Sequence, residues 1–596
     1  MLQALQTGAA LAAGADSASS PDLTPTADTL PRRLSDFATL GDALDYAAQG
    51  ARGLNFFDAR AKLLRSYSYS DLRADAIGHA HRLIASGIKP GDRIALIAET
   101  GADFAAWFFG AIYAGALPTP LPMPTSFGGR EGYVEQIRNQ LTSCDPAIVL
   151  SPAGLFAMVD EAAHGAHTVA RDWSEFANFT APEAALPQAK SDDVAYLQYS
   201  SGSTRFPHGV EVTHFALLAN LNGHAVGVNL RDDDRVISWL PWYHDMGLVG
   251  CFLSPIANQV SADYLATEDF ARRPLSWLTL ISRNSGHTLS YSPTFGYDIC
   301  ARRVSSQTDV ASKFDLSRWR VAGNGADMIR PEVMQSFVEA FSEAGFKANA
   351  FLPTYGLAEA TLAVTMMPVG EGILTDLVDE RLLSGSEDVG LHDVDRPVRY
   401  RAIVNCGKAL PHMKIEIRNN ADEILPDRQI GRVLTAGPSI MKGYFRDADS
   451  TAACLKDGWL DTGDMGYMAD GYVFIVGRAK DMIIINGKNH WPQDIEWAIE
   501  QLPGFKSGDI AAFSLTQANG EEAPAVLVQC RTSDPEERES LREAIKAKVR
   551  TITGMNCIVE LVPPRTLPRT SSGKLSRSKA RALYLAGEIQ PVDKAA

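Results

Sequence analysis

At about 150 residues per domain, a chain of 596 residues is too long for one small module and fits two to four compact units. With 45% hydrophobic and 21% charged residues, beside 48 glycines and 32 prolines, it is neither fibrous nor largely disordered and can build a large core. Its 56 basic and 71 acidic side chains give a formal charge of −15, which repels a phosphate backbone and argues against nucleic acid as a partner.

Residues 1–34 are Ala/Gly-rich and then Ser/Pro/Thr-rich, with no Lys or Arg ahead of the apolar part, so they read as a flexible leader rather than a secretory signal. A strand at 93–99 (RIALIAE) precedes an Ala/aromatic helix at 103–114. The most apolar stretch, 104–121, is broken by Gly110, Gly115, Pro118 and Pro120, so no membrane span is expected. Further strands are expected at 147–150, 194–199, 236–240 and 414–418, and their alternation with helical patterns predicts an α/β fold with largely parallel sheets. A strand at 472–476 runs through Gly477-Arg478-Ala479-Lys480-Asp481 into another at 482–485, which marks a boundary between a large N-terminal domain, 35–479, and a tail, 480–596. The tail reads as strands at 509–514 and 525–530, a charged helix at 535–551, a strand at 558–562 and a basic helix from Ser576, a small α+β domain. Seven scattered cysteines without a C-x-x-C pair give neither a zinc site nor a disulfide framework and fit a reducing, cytoplasmic setting.

Several segments carry residues suited to chemistry. Ser200-Ser201-Gly202-Ser203-Thr204-Arg205-Phe206-Pro207-His208-Gly209 follows the 194–199 strand, and its small residues and hydroxyls suit a polyphosphate, although the Walker A spacing is absent. Trp242-Tyr243-His244-Asp245-Met246-Gly247 offers a histidine at a strand end, and Thr354-Tyr355-Gly356-Leu357-Ala358-Glu359 sets a carboxylate near an aromatic. Asp461-Thr462-Gly463-Asp464 reads as a tight turn whose carboxylate suits the two hydroxyls of a ribose. Arg569-Thr570-Ser571-Ser572-Gly573-Lys574 reads as a flexible cationic loop. Taken singly, each also fits an ordinary turn, helix face or solvated tail.

In this order and together, the segments resemble the adenylate-forming superfamily of acyl-CoA synthetases, luciferases and peptide-synthetase adenylation domains, over about residues 35–585. Arg205 and His208 stand where that superfamily usually has a glycine and a lysine. With Trp242 to Gly247 and Asn486-Gly487-Lys488-Asn489-His490-Trp491-Pro492, these departures resemble the fatty acyl-AMP ligases. The 48 positions from Glu359 to Gly407 exceed the spacing in many acyl-CoA synthetases by some tens of residues, and the resemblance implies an insertion at about 370–401 that hinders the domain rearrangement used for thioester formation with CoA.

The resemblance implies a large N-terminal adenylate-forming domain, a small mobile C-terminal domain, and ATP-dependent activation of a fatty acid to its acyl-adenylate with loss of pyrophosphate. By the same resemblance Ser200, Ser201, Gly202, Ser203 and Thr204 would hold phosphates, and Glu359 would help hold Mg²⁺. Gly325, Ala326 and Asp327, with Thr354 and Tyr355, would line the adenine site; Asp464 would take the ribose hydroxyls, and Arg478 would support ribose or phosphate. Lys574 would meet the reacting carboxylate and α-phosphate, His244 would flank the carboxylate, and Lys480 would be the hinge. The acyl pocket would draw on Met246, Gly247 and Phe295. The implied acceptor is the phosphopantetheine thiol of a separate acyl carrier protein, toward which the basic run Arg565, Arg569, Lys574, Arg577, Lys579 and Arg581 could steer an acidic surface. The alternatives are an acyl-CoA synthetase using free CoA and, because His208 replaces the usual lysine, a non-catalytic nucleotide or lipid sensor.

Overall fold

The computed structural model describes residues 30–124, 129–199, 208–304, 313–379, 383, 400–485, 488–506, 508–516, 522–570 and 574–593. Its largest sheet has nine strands, in the order Lys408–Ala409, Ala363–Met366, Phe351–Gly356, Trp319–Asn324, His287–Ser292, Asp234–Ser238, Ser261–Leu265, Gly53–Phe57 and Leu63–Ser68. The run from Phe351–Gly356 to Gly53–Phe57 is parallel throughout. Such strands are covered on both faces, which is why His287–Ser292 and Trp319–Asn324 are almost wholly buried rather than alternating. Aromatic side chains fill the space under the covering helices: Trp107, Trp242, Trp277, Phe104 and Phe108 are all buried.

A second parallel sheet orders Leu117–Leu121, Arg93–Ile97, Ile148–Ser151 and Val169–Asp172. An antiparallel sheet carries Lys414–Arg418, Gly431–Ala436, Trp459–Ala469 and Tyr472–Arg478. Among the described residues no helix is long and apolar enough to cross a membrane.

The tail packs both faces of a sheet of Ile510–Thr516, Glu522–Gln529 and Ile558–Val562. Ile510 and Ala512 join the core beneath helices Pro492–Glu500 and Pro535–Thr553, while Ala511, Phe513 and Leu515 turn to the side of helix Arg577–Leu585. Asp534 caps the long helix through the amides of Glu536 and Glu537, and Gly554 closes it in the left-handed conformation.

The structure adds detail to the sequence reading in two places and departs from it in one. The last residues of the expected leader are held by the large domain: the Arg33 amide donates to Gln259 Oε1 at 2.7 Å, and Asn222 Nδ2 donates to the Leu34 carbonyl at 2.7 Å. Asp461 to Asp464 is not a turn but part of the long strand Trp459–Ala469, whose register slips beside it and where Gly463 adopts φ of +71°. In the expected insertion, strands Thr375–Asp379 and Tyr400–Val404 pair antiparallel, whereas residues 380–382 and 384–399 lie outside the described residues.

Candidate active site

Several of the expected site residues of the large domain leave the same edge because four adjacent strands run the same way. His244 follows strand Asp234–Ser238, Phe295 follows His287–Ser292, Gly325 to Asp327 follow Trp319–Asn324, and Thr354 and Tyr355 end Phe351–Gly356. The carboxyl edge of a parallel sheet is where such folds bind ligands, since strand-end backbone and loop side chains converge there. Two close approaches need glycine: a Cβ at Gly325 would strike Thr354, and one at Gly247 would strike the Pro241 carbonyl. Ala326 holds φ of +68°, an unusual conformation for a residue with a Cβ, and next to it Asp327 accepts from the Thr294 amide at 3.1 Å.

Asp464 and Arg478 are directly opposed on neighbouring strands, with Arg478 Nε 3.2 Å from Asp464 Oδ1. The Tyr355 hydroxyl donates to the other oxygen, Oδ2, at 2.7 Å. Burial raises the Asp464 carboxyl above its ordinary range, while Arg478 and Tyr355 pull the other way. Glu359 lies in a short 3₁₀ turn, Ala358–Ala360, and accepts from the Tyr444 hydroxyl at 2.9 Å through Oε1. Among the described side chains none bonds Oε2, so one oxygen of this carboxylate is left without a described side-chain partner.

His244 Nδ1 lies 2.7 Å from Asp245 Oδ1, which also accepts from the Met246 amide at 2.7 Å. Burial acts to raise the Asp245 carboxyl, but His244 and Lys574 override it and hold it below the usual range. The chain then enters the π-helical segment Met246–Leu253, wholly buried and apolar. Met246 is buried there, and Phe295 meets Trp239 edge-on at 5.7 Å between centroids.

From the tail, Lys574 accepts through its carbonyl from the Thr570 amide at 2.7 Å. Its half-buried side chain lies at the same carboxyl edge: burial lowers the ammonium pKa, Asp327, Asp245 and Asp464 oppose that, and Arg478 adds to it. Asp327 is pushed up to about 6, mainly by burial, with Lys574 acting to lower it. A cation from the tail and three carboxylates from the large domain thus share one electrostatic environment. Lys480 lies in the 3₁₀ turn Ala479–Asp481 between the two, its pKa lowered by burial and by Arg478.

Ser200, Ser201, Gly202, Ser203 and Thr204 lie outside the described residues, as do Asn486 and Gly487. Sequence reasoning missed the roles of Asp245 and Tyr444 as partners of His244 and Glu359; adjacency to His244 signalled the first, and nothing local signalled the second. It also treated Arg577 as part of a solvent-facing patch. The structure corrects this: Arg577 binds Glu496 at 2.7 Å and Asp481 at 3.2 Å, only 22% exposed, and so ties helix Arg577–Leu585 to the rest of the tail. Arg569 and Arg581 donate to the carbonyls of Gly508 and Ser514, which leaves Arg565 and Lys579 as the exposed members of the run reaching neither.

Residues 49–445 match the AMP-binding enzyme family. A Caulobacter vibrioides (strain NA1000 / CB15N) protein with the provisional description acyl-CoA synthetase is 47% identical, over 95% of this chain and 98% of its own. The medium-chain-fatty-acid–[acyl-carrier-protein] ligase JamA of Moorena producens (strain JHB) is 31% identical, over 93% and 96%. A structure solved in work on fatty acyl-adenylate ligases from E. coli and L. pneumophila superposes with a TM-score of 0.88 at 43% identity, over 94% of this chain and 100% of that one. The chain belongs to the AMP-binding enzyme family and is a ligase.

Proposed function

We propose that this enzyme uses ATP to convert a fatty acid to its acyl-adenylate, releasing pyrophosphate, and then passes the acyl group to the phosphopantetheine thiol of a separate acyl carrier protein. The observation that carries the first step is the entry of Lys574, a tail residue, into the field of Asp327, Asp245 and Asp464 at the sheet edge.

A carboxylate is a poor electrophile, so it must gain a leaving group. One of its oxygens attacks the α-phosphate of ATP, and the bond to the β-phosphate bridging oxygen breaks as pyrophosphate leaves with its electron pair. The protein's task is alignment and charge neutralisation. In this reading the Lys574 ammonium faces the negative charge gathering on the carboxylate and α-phosphate, a cation preorganised by the aspartates that surround it. Arg478, fixed by Asp464, adds a second cation beside the ribose. Asp245 holds the His244 ring in one orientation against the acyl carboxylate. Mg²⁺ would be held by Glu359 and would neutralise charge on the departing phosphates. The apolar segment Met246–Leu253, with Phe295, offers the chain a lining free of charged groups.

Transfer to a carrier protein is supported by the likeness to JamA, whose acceptor is a carrier protein. It is supported also by the hold that the insertion has on the tail: Arg401 Nε lies 3.1 Å from Asp494 Oδ1, and Trp491 Nε1 donates to the Leu383 carbonyl at 3.3 Å. The likeness to the Caulobacter protein favours a second reading, with free CoA as acceptor. Incubation with ATP, Mg²⁺ and a ladder of fatty acids, followed by mass spectrometry, is expected to reveal accumulated acyl-adenylate. Adding free CoA or phosphopantetheinylated carrier in parallel then decides the acceptor: rapid discharge to CoA alone would overturn the second step, and no acyl-adenylate with any acid would overturn the first.

A further inference from the structure

One short segment grips two parts of the site at once. Strand Gly443–Tyr444 pairs with Gly209–Thr213, the strand that follows the Ser/Gly/Thr segment, and the Phe445 amide donates to the Gly209 carbonyl at 2.7 Å. From the same segment the Met441 amide donates to the Glu359 carbonyl at 2.9 Å, and the Tyr444 hydroxyl donates to the Glu359 carboxylate at 2.9 Å. Both the backbone and the side chain of Glu359 are therefore held from one side.

Tyr444 is itself wedged. The His208 ring packs on it at 4.9 Å between centroids, tilted by 39°, and His208 Nδ1 lies 3.0 Å from Asp447 Oδ2. Asp447 is anchored in turn, capping helix Ala448–Cys454 through the Ser450 amide, and its carboxyl is held below the usual range by Ser450 and, less strongly, by His208. The contacts thus run without a break from Asp447 through His208 and Tyr444 to Glu359. A lysine at 208 would supply charge but no flat ring to brace the phenol.

We propose that Tyr444 is a positioning residue for the metal, holding one oxygen of Glu359 so that the other is presented to Mg²⁺, and that His208, through its bond to Asp447, holds Tyr444 in that pose. The inference rests on the function proposed above, since it gives Glu359 the metal. A carboxylate free to rotate must be ordered at the moment the metal–nucleotide binds, whereas one already bonded through Oε1 is not.

The test is Tyr444→Phe in the full-length enzyme, which keeps the ring packing and removes only the hydroxyl. Mn²⁺ replaces Mg²⁺ as the probe, and its binding is followed by electron paramagnetic resonance in the presence of α,β-methylene-ATP. The dissociation constant for Mn²⁺ is expected to rise about tenfold, as for loss of a hydrogen bond to a charged group. The Mg²⁺ concentration for half-maximal pyrophosphate release should rise in parallel, and the rate at saturating Mg²⁺ should stay within about threefold of the parent. His208→Gln, which leaves the phenol in place, should shift the same two readouts by about threefold, and it carries the test should Tyr444→Phe prove unstable. Unchanged Mn²⁺ binding in both variants, or an equal loss of rate at every metal concentration, overturns the inference. A parent enzyme that binds no Mn²⁺ with nucleotide and releases no pyrophosphate overturns instead the function on which it rests.

Discussion

On the large-domain side of the cleft, Gly325, Asp327, Thr354 and Tyr355 leave the ends of neighbouring parallel strands whose own residues are buried on both faces. On the tail side stands Lys574, and described ion pairs hold its domain against the larger one through a few side chains. Arg330 lies 2.6 Å from Glu500 and 5.3 Å above the Trp497 ring; Arg401 reaches Asp494 and lies 5.8 Å from the same ring. The first wall is fixed by the backbone of a sheet and cannot yield without unfolding. The second is held by separable polar contacts, which can break and re-form without either domain unfolding. For the proposed reaction, the division would put binding geometry in the large domain and the timing of chemistry in the clasp.

The hardest test of that division is to delete the tail cation that faces the carboxylates of the large domain. Lys574→Ala is expected to lower acyl-adenylate formation by about 10²- to 10³-fold, as for loss of a preorganised charge at a transition state. ATP binding, fixed by the other wall, should change less than about threefold. Pyrophosphate release and equilibrium nucleotide binding separate the two; equal losses in both would place binding, too, in the tail.

The clasp itself is the next point of attack. Arg330 and Glu500 are 14% and 8% exposed, so removing the arginine strands a carboxylate whose pKa burial already raises. In the double variant Arg330→Ala, Arg401→Ala, adenylation is expected to slow about tenfold, and limited trypsin cleavage at Arg478 and Lys480 to quicken. A protein that opens no faster to trypsin would show that the lobes are held together elsewhere.

The same contrast governs what the sequence disclosed. Strand Ile558–Val562 falls on the predicted residues, and the helix at 535–551 runs only two further, because alternation and an Asp/Pro start with a Gly stop are local signals. The carboxyl-edge residues were legible from short motifs, each on one strand end. Asp461 to Asp464 was misread because Gly463 looks like a turn whether it closes a hairpin or bulges a long strand. Arg577 was misread because a cation's partners, here Glu496 and Asp481, lie 81 and 96 positions away and leave no mark beside it. Tyr444, 85 positions from Glu359, was invisible for the same reason.

A milder perturbation acts through Asp327, where wall and clasp meet. Its carboxyl is raised from 3.8 to about 6, so between those values the folded state binds more protons than the unfolded state, and stability falls as pH rises through that window. Lys574 acts in the opposite sense on the same group, favouring its ionised form, so closure of the tail should strengthen as pH passes above about 6. The rate of pyrophosphate release is therefore expected to show an acid limb centred near pH 6. Asp327→Asn should remove that limb and cost a few-fold in rate at pH 7.5. Retention of the limb in the variant would assign it to another group.

The smallest effect expected lies outside the cleft, on the tail's exposed face. Because Arg577 is an internal tie, a reversal there would loosen the tail and report on nothing else, so the carrier-steering idea must be tested at Lys579, which is exposed on the same helix. Lys579→Glu should slow acyl transfer to a carrier protein about two- to threefold at low salt, with the difference fading as salt screens the encounter. Acyl-adenylate formation should be unchanged, since Lys579 is exposed on helix Arg577–Leu585 and has no part in the proposed chemistry. A slower adenylation step would mean that this helix acts on closure rather than on docking, and would move the boundary between the two regions outward from Lys574.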